Sequence, residues 1–425
     1  MLNKRSAAMS FVFVTVLLDM VALGIGIPVW PKLILGFTGN NFSSAALVGG
    51  AFATIFAVMQ FVVSPILGVF SDRVGRRPVI LLSNLGTSID YLIMALAPNL
   101  WWLFAGRVLA GITTSSITVA SAYVSDVTPP DKRAGAYGLI SGAFGVGFVV
   151  GPAIGGLLGV HDPRLPFWVA AGLSLVNFLY GLLVLPESLS DEHRNTFSWQ
   201  RANPLGSVKM LRRHRELAGL SAVNFIGYIA HEALPQLFVY YAIYAFAWTT
   251  GMVGVSLAIV GVITVIISTM VIQPVVNRFG DRRAVIGGLF CAALGYLFYA
   301  GPQVLFWIGI PINMLWMLAS SSSQALMTRR VDKNEQGELQ GAIGMLRSVA
   351  MLIGPGLFTG VFAYSISAHH TWKSPGAAWI MGALMLFGAM VLAWAVTSTK
   401  DDTRDRLDTV EALETALPAE VPAVE

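Results

Sequence analysis

Apolar residues collect in long runs separated by short polar punctuation. A helix needs about 20 mostly apolar residues to cross the hydrocarbon core of a bilayer. Twelve runs reach that length: 9–33, 43–70, 78–97, 99–124, 134–159 and 165–186, then 215–243, 251–276, 283–301, 303–327, 336–366 and 375–397. The longer ones must tilt or project beyond the bilayer. The pattern predicts an all-α polytopic membrane protein with twelve transmembrane helices. The polar, basic segment 187–214, bordered by Pro186 and containing Pro204, reads as a linker between two six-helix bundles, 1–186 and 215–397. The tail 398–425 is expected to be disordered, because it gathers eight acids with Pro418 and Pro422.

Composition agrees. Of 425 residues, 55% are hydrophobic and 12% are charged, against roughly 25% charged in soluble domains. That excludes a disordered chain, a coiled coil and a typical soluble enzyme. A net charge of +4 gives no reason to expect nucleic acid, and the single cysteine, Cys291, excludes a disulfide framework or a cysteine metal site. The first run is long enough to span and no small-residue cleavage site follows it, so it is not a cleavable signal peptide.

The basic residues test the twelve runs. With the N-terminus inside, 22 of the 27 Lys and Arg fall on inner segments. Only Lys32, Arg164 and Lys373 fall outside, and Arg107 and Arg347 lie within spans. This is a strong positive-inside partition, and it predicts that both termini are cytoplasmic.

The halves echo one another. Asp72-Arg73-Val74-Gly75-Arg76-Arg77 follows the second run, and Asn277-Arg278-Phe279-Gly280-Asp281-Arg282-Arg283 follows the eighth. Asp131-Lys132-Arg133, Gly138 and Gly151-Pro152 mark the fifth run; Asp332-Lys333, Gly341 and Gly354-Pro355 mark the eleventh. The offsets, 205 for the first glycine pair and 203 for the prolines, agree closely enough to indicate a duplicated six-helix unit. Parallel repeats with a substrate site between them are one transporter plan.

Several motifs carry a resemblance. Gly68-Val-Phe-Ser-Asp72-Arg73-Val-Gly75-Arg76-Arg77 and Arg107-Val-Leu-Ala-Gly111 resemble signatures of the major facilitator superfamily. Gly138, Gly147, Gly151-Pro152 and Gly155-Gly156 resemble the helix-five signature of its drug:proton antiporters. Leu18-Asp19, Gly24-Ile-Gly26, Pro28-Val-Trp-Pro31, Gly86 with Asp90-Tyr91, and Leu339-Gln340-Gly341 look like segments of the twelve-helix tetracycline exporters. The similarity covers about residues 10–395. It implies a bacterial-type inner-membrane antiporter that exports an amphipathic drug such as a tetracycline by alternating access, with protons as the coupling ion, no cofactor, and action as a monomer. Three departures stand out. Ala292 precedes Ala293-Leu294-Gly295-Tyr296 where those exporters carry an acid, Thr264 stands at their histidine, and His231-Glu232 replaces uncharged residues. A proton-coupled carrier of an endogenous metabolite and a non-transporting membrane receptor therefore remain open. No phosphate-binding Gly-x-x-x-x-Gly-Lys-Ser/Thr run exists to support an ATP-driven pump.

Proton coupling requires groups inside the membrane that gain and lose protons. Carboxylates suit this, because partial burial favours their neutral form. Three acids lie well inside the runs: Asp19, Asp90 and Glu232. A charge at a helix centre costs about 2.5–3.5 kcal/mol on insertion scales, so such residues face a cavity or pair. Arg107 needs an acid or a carbonyl, with Asp19 and Asp90 the candidates, and the resemblance implies a coupling role for it. Glu232 completes the proton-coupling set. Gln60, Asn84, Tyr91, His231, Gln236 and Arg347 are the substrate-binding candidates, and Arg347 is a possible partner of Glu232. His231 also suits a packing role, and the amides suit interhelical hydrogen bonds.

Gly147, Gly151 and Gly155 recur every fourth residue, a stripe that lets another helix approach closely. Pro152 should bend that helix. These residues, with Gly156 and the loop residues Asp72, Arg73, Gly75, Arg76 and Arg77, form the gating set. The resemblance implies that this loop fastens the two halves on the cytoplasmic side. Gly145-x-Gly147 with Gly151 lacks dinucleotide-loop spacing.

Overall fold

The computed structural model describes residues 2–114, 116–129, 132–189, 194, 215–332, 335–367 and 373–397. Most of the expected linker, the tail 398–425, and the repeat landmarks Asp131 and Lys333 lie outside the described residues. Among those described, every regular element is helical. In order they are α1 (Leu2–Gly26), α2 (Trp30–Phe37), α3 (Phe42–Val74), α4 (Arg76–Leu96), α5 (Leu100–Thr113), α6 (Ser116–Val127), α7 (Arg133–His161) and α8 (Leu165–Val184). Then come α9 (Arg215–His231), α10 (Ala233–Phe246), α11 (Thr250–Ile266), a π-helical turn (Ile267–Val271), α12 (Ile272–Phe279) and α13 (Asp281–Tyr299). The last are α14 (Gln303–Met314), α15 (Trp316–Thr328), α16 (Gln336–Ser365) and α17 (Ala377–Val396). Among the described residues, eight helices are long and apolar enough to cross a membrane, and α1 with α2, bent by 41°, make a ninth. Each of the twelve apolar runs is occupied by helix, so twelve crossings are compatible with this architecture.

Five runs are broken rather than continuous, and local chemistry accounts for most of the breaks. Pro28 sits in the turn between α1 and α2. Pro235 lacks an N–H and crowds the carbonyl four residues back, at His231, where α9 stops. Pro274 does the same to Met270 inside the π turn. Between α5 and α6 no proline is present. There Thr113 Oγ1 donates to Leu109 O (3.0 Å) and Thr114 Oγ1 to Ala110 O (2.6 Å), side-chain bonds that loosen the helix.

The surface is apolar. Leu183, Met270, Leu384 and Trp394 are exposed, whereas Asn84, Asp90, Asn177 and Asn313 are buried. An apolar coat of this extent suits lipid contact.

By packing, the described residues form two compact units. One gathers the chain ahead of the 187–214 segment with His231–Val265 and Arg347–Trp379; the other gathers the segments up to Ala230, Ile266–Leu346 and from Ile380 onward. In the first unit α1 lies against α7. A Cβ built on Gly151 would stand 2.7 Å from the Gly24 Cα, and Cβ atoms on Gly147 and Gly155 would run into Met20 and Ile25. The expected stripe is thus a helix–helix seam. Gly156 belongs to another flank of α7, where its Cβ would stand 2.7 Å from the Gly254 Cα of α11. At the end of this unit that carries Ser43, α3 is tied to α10 and α16. Tyr240 donates to Ala45 O (3.1 Å), Ser43 Oγ donates to Ala363 O (2.9 Å), and Gly49 packs beneath Tyr240.

At the far end of α3, Gly75 (φ +104°) closes α3 and opens α4. Arg76 pairs with Asp72 (2.6 Å) and Asp126 (3.2 Å) and donates to Ser71 Oγ (2.6 Å). The backbone N–H groups of Arg76 and Arg77 donate to Glu187 at 2.8 and 3.2 Å, satisfying donors that a helix start leaves open. Arg77 donates to Leu182 O, and Arg73 is exposed in the last turn of α3. In the second unit Gly280 (φ +81°) likewise joins α12 to α13, and Asp281 pairs with Arg329 of α15 at 3.0 Å. Tyr296 donates to Ala230 O (3.1 Å), and Asn224 to Met327 Sδ (3.2 Å).

Candidate functional site

A cavity of about 300 Å³ lies in the first unit. Its walls are mostly aromatic and aliphatic, including Trp30, Phe56, Tyr91, Phe167 and Tyr240. Three ionisable side chains of opposite sign interrupt them: Asp19, Asp90 and Arg107.

Asp90 and Arg107 form a close ion pair through Oδ2 and Nη2. Asp90 is 3% exposed at its side chain and Arg107 19%, so both have given up most of their hydration, and mutual contact offsets that loss. The guanidinium lies over Trp30, 4.9 Å from the ring centroid, with Phe56 at 5.9 Å and Met94 Sδ at 3.5 Å. Trp30 reaches it from α2, just past the Pro28 turn. The pair is close-fitted on its other side: a Cβ on Gly106 would stand 2.8 Å from Asp90 Oδ1. That oxygen and Arg107 Nε are buried with no hydrogen-bond partner among the described residues. Both polar groups therefore depend chiefly on each other, and anything that competes for one releases the other.

Asp19 faces the same cavity from α1. Asn177 of α8 donates to its Oδ1 at 2.8 Å. From α10, Gln236 also lines the cavity, and it lies within hydrogen-bonding reach of Glu232 one turn earlier. Arg347 bears electrostatically on both His231 and Glu232. A second polar cluster thus meets the cavity through Gln236.

Of the coupling and binding candidates, Asp19, Asp90, Tyr91, Arg107 and Gln236 are brought together in the cavity wall. Glu232, His231 and Arg347 are not among the lining residues, and Glu232 connects to the cavity through Gln236. Gln60 donates to Thr114 O (3.4 Å) at the α5–α6 break, and Asn84 is buried. Sequence reading did not single out Asn177, Trp30, Phe56 or Gly106. Asn177 carried a usable signal, an amide within an apolar run like Gln60 and Gln236. Trp30 stood inside the Pro28–Pro31 segment without a role of its own, and Phe56 carried no signal, because an aromatic in a membrane span looks the same facing lipid or facing a cation. At the departures, Thr264 Oγ1 donates to Val260 O (2.8 Å), and Ala292 is buried in α13 with its carbonyl accepting from Asn313 at 3.4 Å. Neither lines the cavity. Among the described residues no group of three His, Cys, Asp or Glu side chains could hold a metal ion.

The family model described as Major Facilitator Superfamily matches residues 7–355. The chain belongs to this superfamily. Within it, the chain is 39% identical to the class C tetracycline resistance protein of Escherichia coli, over 90% of this chain and 95% of that protein. It is 32% identical to the class H tetracycline resistance protein of Pasteurella multocida, over 87% and 91% of the two chains. A crystal structure of the nucleoside transporter NupG shares the fold, with a TM-score of 0.74, 13% identity, and coverage of 92% of this chain and 98% of that one. This superfamily member is a multi-pass membrane transporter of the drug-efflux kind rather than an enzyme. Its fold is the helical one its motifs predicted.

Proposed function

We propose that this transporter exports an amphipathic, tetracycline-like drug from a bacterial cell in exchange for protons. The observation that carries the reading is the Asp90–Arg107 ion pair in the wall of an otherwise aromatic cavity. Drug and proton compete for Asp90. The drug binds the ionised Asp90–Arg107 site from the cytoplasmic side; a proton arriving at Asp90 from outside cancels the charge that the drug engages and releases it. Departure of the proton to the cytoplasm restores the ionised site for the next drug. Asp19 supplies a second carboxylate to the same space, and Glu232 a third through Gln236. Tyr91 and the other rings receive the planar body of the drug.

Export by alternating access requires the Tyr240–Ala45 and Ser43–Ala363 ties to open, with the α1–α7 seam and the Gly156–Gly254 contact as the surfaces that shift. Positive-inside charge supports a cytoplasmic side for both termini, the Gly75 turn and the 187–214 linker, with those ties then at the outer face. Protons are the coupling ion, no cofactor takes part, and one chain suffices.

Everted membrane vesicles test the reading. Tetracycline added to vesicles holding a preformed pH gradient is expected to dissipate it, and Asp90→Asn is expected to abolish that response. A gradient unmoved by tetracycline and by a broad panel of amphipathic drugs would falsify drug:proton exchange. A second reading, proton-driven uptake of an endogenous metabolite, is favoured by Ala292 and Thr264, which stand where the exporters have ionisable groups. It predicts accumulation of a metabolite in intact cells when the proton gradient is directed inward.

A further inference from the structure

Asn177 is fully buried in α8, beside Ala170, Ala171, Ser174 and Gly181. An amide in that position gives up its hydration and must recover it from neighbours. Only its nitrogen does so. Asn177 Nδ2 donates to Asp19 Oδ1 at 2.8 Å and to Thr15 O at 3.1 Å, the backbone carbonyl one turn before Asp19 on α1. The Asn177 Oδ1 atom is buried with no hydrogen-bond partner among the described residues.

This pattern fixes which way the amide faces. The nitrogen has two hydrogens, and both are committed. Turning the amide over would set its oxygen against the Thr15 carbonyl, two acceptors with no proton between them. Thr15 O therefore holds the nitrogen toward Asp19, and a nitrogen in that position asks Asp19 Oδ1 to be an acceptor. The hydrogen bond is charge-assisted when Asp19 is ionised and opposed when Oδ1 carries the proton.

We propose that Asn177 is a positioning residue for Asp19: anchored by Thr15 O, it holds the cavity-facing carboxylate from behind and favours its ionised form. The charged and titratable groups that face Asp19 across the cavity are Asp90 and Tyr91 from α4 and Arg107 from α5. Those groups set the field at Asp19, and Asn177 sets its orientation. The consequence for transport rests on the reading of Asp19 above, but the device itself is a property of two side chains and needs no drug to be measured.

The test uses the full-length protein in native membranes. An apolar carbodiimide attacks protonated carboxyl groups, and peptide mass spectrometry reads the labelled fraction at Asp19 and at Asp90 separately. Asn177→Leu keeps the side-chain size and removes both donors. It is expected to raise the labelling rate of Asp19 about threefold or more at fixed pH while leaving Asp90 within about twofold. Asn177→Gln, which keeps the amide, is expected to return Asp19 toward the parent rate. Should the leucine variant fail to accumulate, Asn177→Ala, which also lacks a donor, carries the same expectation. Unchanged labelling at Asp19, or a parallel rise at Asp19 and Asp90, overturns the proposal, because the second pattern marks general loosening. If labelling behaves as expected and no drug moves protons, the transport reading fails alone.

Discussion

The Gly75 and Gly280 turns are two versions of one device, and they differ in the sign of their charges. Each glycine ends one helix and begins the next, with φ/ψ of +104°/159° and +81°/162°. In each, the glycine N–H returns to the carbonyl four residues back, Ser71 at 3.0 Å and Val276 at 2.8 Å. In the first turn the cation follows the glycine and the acid comes from α6, as Arg76–Asp126. In the second the acid follows the glycine and the cation comes from α15, as Asp281–Arg329. The two pairs are related by the same offsets as the sequence repeat, 205 and 203 residues. What has been kept is a backbone conformation and the presence of an ion pair, while its polarity has been exchanged. The backbone is the stricter requirement, because side chains other than glycine rarely adopt that φ, whereas an ion pair works in either order.

The largest effect is expected at Gly75. Gly75→Val adds backbone strain of order 1–3 kcal/mol, and its Cβ would drive Glu187 away from the start of α4. Drug-dependent proton movement should fall by more than tenfold. Gly280→Val should bring the strain with a milder loss; equal loss at both would make the backbone alone decisive. Next comes Arg329→Ala, which removes a cation from Asp281, 2% exposed at its side chain. Arg329 is itself 46% exposed, so water screens the pair, and the loss should stay below the roughly 3 kcal/mol of a fully buried pair, visible as a lowered thermal midpoint of purified protein. Adding Asp281→Asn should recover part of that loss, since it removes the buried charge that Arg329 offsets. Arg76→Ala leaves acids that water can reach, Asp72 and Asp126 being 30% and 23% exposed at their side chains, and should cost only about 1 kcal/mol by the same measurement. The smallest effect belongs to Gly138→Ala. Nothing lies within 4 Å of the added Cβ, so the variant should transport normally and gain about 0.5–1 kcal/mol from helix propensity.

Much of this molecule was legible in its sequence. The apolar runs located the helices, for instance 43–70 against Phe42–Val74 and 165–186 against Leu165–Val184. Charges amid lipid are costly enough to be conspicuous, so Asp19, Asp90 and Arg107 stood out, and all three line the cavity. The helix breaks were not anticipated although Pro28, Pro235 and Pro274 were in plain view, because neighbouring helices in a membrane protein often absorb a proline without a break. The support around the charges was hidden for another reason. Whether Trp30 faces lipid or a guanidinium depends on the bend after Gly26, and whether Gly106 matters depends on an oxygen sixteen residues earlier in the chain. Such pairings are set by packing rather than by local pattern.

Where Gly24 meets Gly151, the seam between α1 and α7 is main chain against main chain, whereas nearer the start of α7 Val12, Val16 and Met20 share a core with Ile140 and Ala143. At the glycine stretch a shear has almost no rotamers to reshuffle. A carrier that repeats its cycle many times over is well served by a bearing surface that has so little to misplace.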